Sequence, residues 1–207
     1  MSGRRLALSR IASRTSGQTD QVVGRRAIFF DRDGVLTIPI VKDGRTYAPL
    51  RLSEFQIYTR AMEAIERAKD AGFLCVVVTN QPDVASGKTT RAIVDRMHKL
   101  LLATLKLDDI EVSFDSSGSN APRRKPNPGM LTDSAAKWGI DLTRSFVIGD
   151  TWKDITAART AGCHAILVDH HYENEPQPPP SDYQASDVLD AVLWCVRSGK
   201  SWNDETH

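Results

Sequence analysis

Two aspartates, Asp31 and Asp33, stand one residue apart at the end of the apolar run AIFF, and Gly34 follows at once. Ending a strand that reads as buried with two like charges is costly unless a cation shares the site or one carboxyl keeps its proton. A third acid, Asp150, ends a second apolar run, SFVIGD. Hard oxygen donors with no His or Cys beside them suit Mg²⁺. Lys125 adds a positive charge, and Asp154, one helical turn past Asp150, is placed to pair with that lysine and orient it. A metal, a lysine, the Thr79 hydroxyl and the backbone N–H groups of a strand-to-loop turn make a cradle for a phosphate. In such a cradle Asp31 acts as nucleophile and forms an aspartyl-phosphate. Asp33 then protonates the leaving oxygen and later activates water, and Gly34 allows the sharp turn. Blander readings stand beside these. The aspartates make an exposed loop pair, Thr79 and Asn80 are turn formers, Arg124 and Lys125 are a solvated basic run, and Asp150 caps a helix as well as ligating.

The elements that must position these residues alternate strand and helix. RRAIFF, FLCVVVTN, IEVSFD, SFVIGD and HAILVD read as strands. Between them, RAMEAIERAKDAG predicts a helix with Met62, Ile65 and Ala68 in the core. TTRAIVDRMHKLLLATLKL predicts one with Ile93, Met97, Leu100, Leu101 and Leu105 on one face. GMLTDSAAKWG and TWKDITAARTAG are further helices, the first closed by Gly139. This order predicts an α/β fold, a doubly wound three-layer parallel sheet with minimal cap loops. Ligands bind such sheets outside the carboxyl ends of the strands, where Asp31, Asp33, Thr79, Asn80, residues 115–125 and Asp150 fall.

Four segments are expected. Residues 1–25 form a basic, disordered extension whose Arg- and Ser-rich composition also matches an organelle transit peptide. Residues 26–170 form the catalytic domain, residues 171–186 a Pro-rich connector, and residues 187–207 a terminal helix and tail packing Leu189, Val192, Leu193 and Val196. His170 and His171 are expected on the surface, and Trp152 beside the pocket. Across 207 residues the net charge is +1, which favours neither nucleic acid nor an anionic membrane. No apolar run reaches the roughly 18 residues of a membrane span. Cys75, Cys163 and Cys195 lie far apart in apolar contexts and read as reduced core residues of a cytoplasmic protein. ASGKTT hints at a phosphate loop, but Pro82 stands where that motif needs glycine, so Thr89 and Thr90 read as a helix start.

The stretches DRDGVL, VVVTNQ, RRKPNPGM and VIGDTWKDITAARTAG together resemble the four motifs of the haloacid dehalogenase superfamily, in order, over residues 28–168. Their wording is similar to the branch that contains D-glycero-D-manno-heptose 1,7-bisphosphate phosphatases and histidinol-phosphate phosphatases. The resemblance implies a phosphatase with Asp31 as nucleophile and Asp33 as general acid and base. It implies Mg²⁺ on Asp31, Asp150 and the backbone carbonyl of Asp33. Thr79 and Lys125 would stabilise the transferring phosphoryl group, and Asn80, Gln81 and Arg124 would touch substrate. The implied substrate is a small sugar phosphate, a heptose 1,7-bisphosphate cleaved at its 7-phosphate. Histidinol phosphate or another metabolite is the alternative, and a non-catalytic phosphate-binding protein is the rival from a different class. No nucleic acid or membrane partner is expected, and the chain is expected to be a monomer or weak homodimer. Two departures stand out. DSSGSNAPR holds no Cys or His where many of the branch carry a zinc loop, so no zinc is expected. TNQPDVASG puts Pro82 and Asp83 where TNQSG is common.

Overall fold

The computed structural model describes residues 24–204, so nearly all of the basic N-terminal segment lies outside the described residues. The strands are β1 (Ala27–Phe30), β2 (Ile40–Lys42), β3 (Arg45–Tyr47), β4 (Leu74–Asn80), β5 (Asp109–Ser113), β6 (Phe146–Gly149), β7 (His164–Val168) and β8 (Tyr183–Ala185). The helices are α1 (Ala61–Asp70), α2 (Arg91–Leu105), α3 (Gly129–Trp138), α4 (Trp152–Ala161) and α5 (Val188–Asp204). Six strands make one parallel sheet in the order β5-β4-β1-β6-β7-β8.

The central strands are near-continuous apolar runs because both faces are covered. One face of β1 packs Ile28 and Phe30 under α1, α2 and α5; the other packs Ala27 and Phe29 under α3 and α4. This is the expected doubly wound three-layer sheet. The chain leaves β1 for β4 and β5 on one side, then crosses to β6 on the other. The carboxyl ends of β1 and β6 therefore flank the point where strand order reverses, where open α/β sheets bind ligands. Register fixes the level: Phe30 pairs with Val77 of β4 and with Ile148 of β6. Asp31 and Asp150 thus emerge together at one edge of the sheet.

Over that edge stands a small antiparallel hairpin, β2–β3, in which Ile40 pairs with Tyr47. Its turn is Asp43-Gly44, with φ of 50° and 67°. Positive φ at both central residues is what a two-residue turn needs to match the strand twist, and Asp-Gly adopts it at low cost. The cap is no larger than this.

Three of the apolar assignments shift by a helical position. Met62 is 47% exposed, because α1 turns Ala61, Ala64, Ile65 and Ala68 inward instead. Leu100 is 45% exposed, since the buried stripe of α2 runs through Val94, Met97, His98, Leu101 and Leu105. Leu193 is 37% exposed, while Leu189 and Val192 pack inward as expected. The segment expected to be only a connector contains β8, a parallel edge strand beside β7. Three residues are too short for any period to show in sequence. Thr90 caps α2, accepting from the Ile93 N–H as read. The three cysteines are free and buried, and burial pushes the Cys75 and Cys163 thiols up to about 12.

The contrast between the two methionines is testable by chemical denaturation. Met97→Ala, opening a cavity in a fully buried position, is expected to cost about 2–5 kcal/mol. Met62→Ala is expected to change stability by no more than about 0.5 kcal/mol; equal losses would contradict the assigned helix faces.

Candidate active site

Lys125 lies at the centre of the site. It is 4% exposed, and its ammonium makes three contacts: Val78 O at 2.7 Å, Asp31 Oδ1 at 2.8 Å and Asp154 Oδ1 at 2.6 Å. The first is a hydrogen bond and the other two are buried ion pairs. Burial alone lowers a lysine pKa, but Asp154 and Asp31 outweigh it and hold Lys125 firmly charged, well above the ordinary range. The backbone of Lys125 is clamped by Asn80, whose Nδ2 donates to Lys125 O at 2.9 Å and whose Oδ1 accepts from Lys125 N at 3.1 Å. The end of β4 thus holds the lysine at both main chain and side chain.

Asp31 receives two donors on one oxygen: Oδ1 accepts from the Arg32 N–H at 2.7 Å and from Lys125 Nζ. Burial pushes its pKa up to about 6 against the lowering influence of Lys125, with Asp154 and Asp33 adding to the rise. Asp150 is pushed well above the ordinary carboxylate range, first by burial and then by Asp31 and Asp154. Its Oδ2 accepts from the Tyr172 hydroxyl at 3.1 Å, whereas its Oδ1 is buried with no hydrogen-bond partner. Asp154 sits at the start of α4, where its Oδ2 accepts from the N–H and hydroxyl of Thr151 at 3.1 and 2.7 Å. Thr151, not Asp150, is the helix cap, forming a capping box with Asp154. Asp150 is left free of capping and directed at the other acids.

One oxygen from each of Asp31, Asp150 and Asp154 lies within 4.8 Å of the others. A cluster of hard anionic donors, one with a buried unpartnered oxygen, fits a divalent cation of the Mg²⁺ type. The acidic cluster differs from the expected one in a single member. The Asp33 carboxylate turns away into a separate nest, where Oδ1 and Oδ2 each meet Arg32 Nε at 3.1 Å and Oδ2 meets Arg32 Nη2 at 2.8 Å. Thr37 Oγ1 donates to Oδ1 at 2.9 Å and Gln81 Nε2 to Oδ2 at 3.0 Å. Arg32 is completely buried, contacts His98 Nε2 at 3.1 Å and lies over the Phe55 ring. Burial, then the neighbouring Arg32, lowers His98 to about 4, so the imidazole is neutral at pH 7 and can accept from the guanidinium. Gly34 closes the turn at φ +96°, and a Cβ there would stand 1.9 Å from Asp150 Oδ2. Only glycine fits.

A cleft of about 230 Å³ opens on this cluster, lined by Asp31, Asp33, Thr79, Asn80, Arg124, Lys125, Asp150 and Asp154, with Thr46, Tyr47 and Lys88 at its outer wall. Eight of the nine residues singled out from the sequence therefore border one space. Gln81 does not; it is 1% exposed and ties Thr79 Oγ1 (2.9 Å) to Asp33. Arg124 reaches the cleft while donating to Asp115 O at 3.2 Å. Thr151 and Lys153, rather than Trp152, flank the cleft at the start of α4. A larger groove of about 840 Å³ runs beside it beneath the Pro-rich segment and touches Asp150. Arg32, His98 and Tyr172 escaped the sequence reading. Arg32 stood in plain view between the two aspartates, but nothing local marks an arginine as buried. His170, expected on the surface, is half-buried and has partners. Its Nε2 meets Gly34 O at 2.7 Å, and its ring stacks on Tyr58. His171 is exposed as expected.

Comparison with known proteins agrees with this architecture. Residues 122–192 match the family described as "HAD-hyrolase-like". D-glycero-D-manno-heptose-1,7-bisphosphate 7-phosphatase of Thermosynechococcus vestitus is 34% identical over 195 residues, covering 82% of this chain and 95% of that protein. D-glycero-beta-D-manno-heptose-1,7-bisphosphate 7-phosphatase of Rhodopseudomonas palustris is 34% identical over 150 residues, covering 67% and 80%. The crystal structure of D,D-heptose 1,7-bisphosphate phosphatase from B. bronchiseptica, complexed with magnesium and phosphate, superposes with a TM-score of 0.71 at 24% identity, covering 84% of this chain and 99% of that one. That likeness concerns the fold. With identity above 30% across most of both chains, the protein belongs to the haloacid dehalogenase-like phosphatases, hydrolases of phosphoric monoesters.

Proposed function

We propose that the protein is a Mg²⁺-dependent phosphatase that cleaves a heptose 1,7-bisphosphate at its 7-phosphate through an aspartyl-phosphate on Asp31. The observation that carries the reading is the placement of Asp31 in the cleft, one oxygen held by two donors beside a buried lysine. Lys125 and the Arg32 N–H both grip Oδ1, which leaves Oδ2 for in-line attack on phosphorus. A Mg²⁺ ion held by Asp31, Asp150 and the backbone carbonyl of Asp33 would neutralise phosphate charge and keep Asp31 ionised against its burial. Lys125 and the Thr79 hydroxyl face the same space and stabilise charge on the transferring phosphoryl oxygens. Asp33 protonates the departing sugar oxygen, then takes a proton from the water that hydrolyses the aspartyl-phosphate. To do so it exchanges part of its Arg32 fork for the substrate oxygen; such contacts tighten only in the substrate complex. The substrate assignment is supported by the named relatives, which are heptose-1,7-bisphosphate 7-phosphatases. It is also supported by cleft size: about 230 Å³ is small beside the roughly 300–1,000 Å³ of drug-sized sites. Asn80 and Gln81 support the reaction from behind, by clamping Lys125 and orienting Asp33 and Thr79. Arg124 remains in position to meet substrate directly.

Phosphate release by the purified protein tests this across heptose 1,7-bisphosphate, other sugar phosphates, histidinol phosphate and nucleotides. Strong preference for the heptose bisphosphate is expected; preference for histidinol phosphate would move the enzyme to the neighbouring activity. Asp31→Asn is expected to reduce turnover by on the order of 10⁴-fold or more, and full activity in that variant would defeat the covalent mechanism. Separately, chelation of divalent cations is expected to stop phosphate release and added Mg²⁺ to restore it. Undiminished turnover in chelator would remove the metal from the mechanism.

A further inference from the structure

Beyond the acids and the lysine, one side chain reaches the metal end of the site from a part of the chain with no motif. After β7 the chain does not run off into a connector. It folds back over the carboxyl edge of the sheet and is pinned on both sides of Tyr172. Before it, His170 Nε2 meets Gly34 O at 2.7 Å, and the His170 ring stacks on Tyr58 with centroids 6.2 Å apart. After it, Asn174 is tied to the hairpin turn, donating from its N–H to Gly44 O at 3.1 Å and from Nδ2 to Asp43 O at 2.9 Å. Glu175 Oε1 accepts from the Thr46 N–H at 3.4 Å. The strap therefore joins the hairpin that walls the cleft to the turn after Asp33. Between the two anchors the Tyr172 ring lies 5.4 Å from that of His170, and its hydroxyl donates to Asp150 Oδ2 at 3.1 Å.

That contact has a geometric consequence. Asp150 is a short side chain with two rotatable bonds, so fixing one carboxylate oxygen fixes the other. Oδ2 is held by Tyr172, the buried Oδ1 has no hydrogen-bond partner, and one of the two oxygens lies within 4.8 Å of oxygens of Asp31 and Asp154. We propose that Tyr172 is a positioning residue: its hydroxyl orients the Asp150 carboxylate so that Oδ1 is presented to the divalent cation. This rests on the Mg²⁺ site proposed above. Partners that hydrogen-bond a ligating carboxylate set its orientation and typically account for 10–100-fold in metal affinity or activity. The competing role is plain ring packing against His170, and that role does not need the hydroxyl.

Tyr172→Phe separates the two, since it keeps the ring and removes the donor. Mg²⁺ alone is titrated calorimetrically into the unaltered protein, Tyr172→Phe and Asp150→Asn, with melting temperatures recorded alongside. Tyr172→Phe is expected to weaken Mg²⁺ binding by about tenfold and to raise the half-activating Mg²⁺ concentration in phosphate release by the same factor. Its melting temperature and its KM at saturating Mg²⁺ are expected to stay at the unaltered values. Unchanged Mg²⁺ affinity in Tyr172→Phe, with weak binding by Asp150→Asn, overturns the positioning role and leaves the metal site standing. A lowered melting temperature with unchanged Mg²⁺ affinity, or lost turnover that excess Mg²⁺ does not recover, would show the hydroxyl serving the fold or the reaction rather than the metal, and also overturns it. No Mg²⁺ binding by the unaltered protein would remove the metal site itself, and the inference with it.

Discussion

The site depends on burying one ammonium among carboxylates that would otherwise repel. Asp31, Asp150 and Asp154 bring oxygens within 4.8 Å of one another, with Asp150 and Asp154 buried and Asp31 partly so. Lys125 makes two of them tolerable by pairing with both. A buried charge is costly unless it is paired and hydrogen-bonded, and here the Val78 carbonyl also accepts an ammonium hydrogen. Removing any partner would leave a charge uncompensated, so β4, the loop before α3, and the start of α4 are held in one arrangement by a single cation. Lys125 still matches only one of three negative charges. The remainder explains why burial and mutual repulsion push Asp31 and Asp150 upward. It also leaves the site short of positive charge by about what the proposed dication would supply.

Asp33 follows a different electrostatic logic one turn away. Its partner is Arg32, fully buried, with a planar fork that matches a carboxylate on two edges. The neutral His98 ring beneath accepts from the guanidinium and adds no second charge. Two aspartates one residue apart thus occupy separate environments. One is steered by an ammonium and open to the cleft. The other is held by a guanidinium, a threonine and an amide. Unlike environments around paired titratable groups are how one site performs nucleophilic and acid–base chemistry at a single pH.

Much of this was legible in the sequence where a residue's role follows from strand ends. Asp31, Thr79, Asn80 and Asp150 come together because parallel strands deliver their carboxyl ends to one edge, and alternating apolar runs reveal that order. Lys125 and Arg124 were legible through the motif around them. What did not show were contacts made at long range by residues lacking a periodic signature. Arg32 reads as a surface cation until the fold wraps α2 and Phe55 around it. Tyr172 and His170 lie in a polar, Pro-rich stretch that looks like linker, and only the closing of that stretch over Gly34 gives them partners. Met62, Leu100 and Leu193 were misplaced for a simpler reason. An apolar residue one position off a helical stripe satisfies a loose periodicity while facing water, and scattered exposed apolar side chains carry little penalty.

The departure at Pro82 and Asp83 resolves in the same physical terms. An added carboxylate beside a phosphate-binding cleft would repel an anionic substrate, and in sequence this weighs against a sugar bisphosphate. In the fold Asp83 Oδ1 is paired with Lys88 Nζ at 3.0 Å, and both border the cleft. The Asp83 carbonyl also accepts the N–H groups of Lys88 and Thr89, so the loop closes on itself ahead of α2. The inserted charge arrives with its own counter-ion, and the rim it forms is locally neutral. Asp83 therefore adds no net charge to the cleft that Arg124 and Lys125 also border. With its charge balanced, the loop's remaining contribution to the entrance is its shape, which under the proposed function is where selection among small phosphate esters would act.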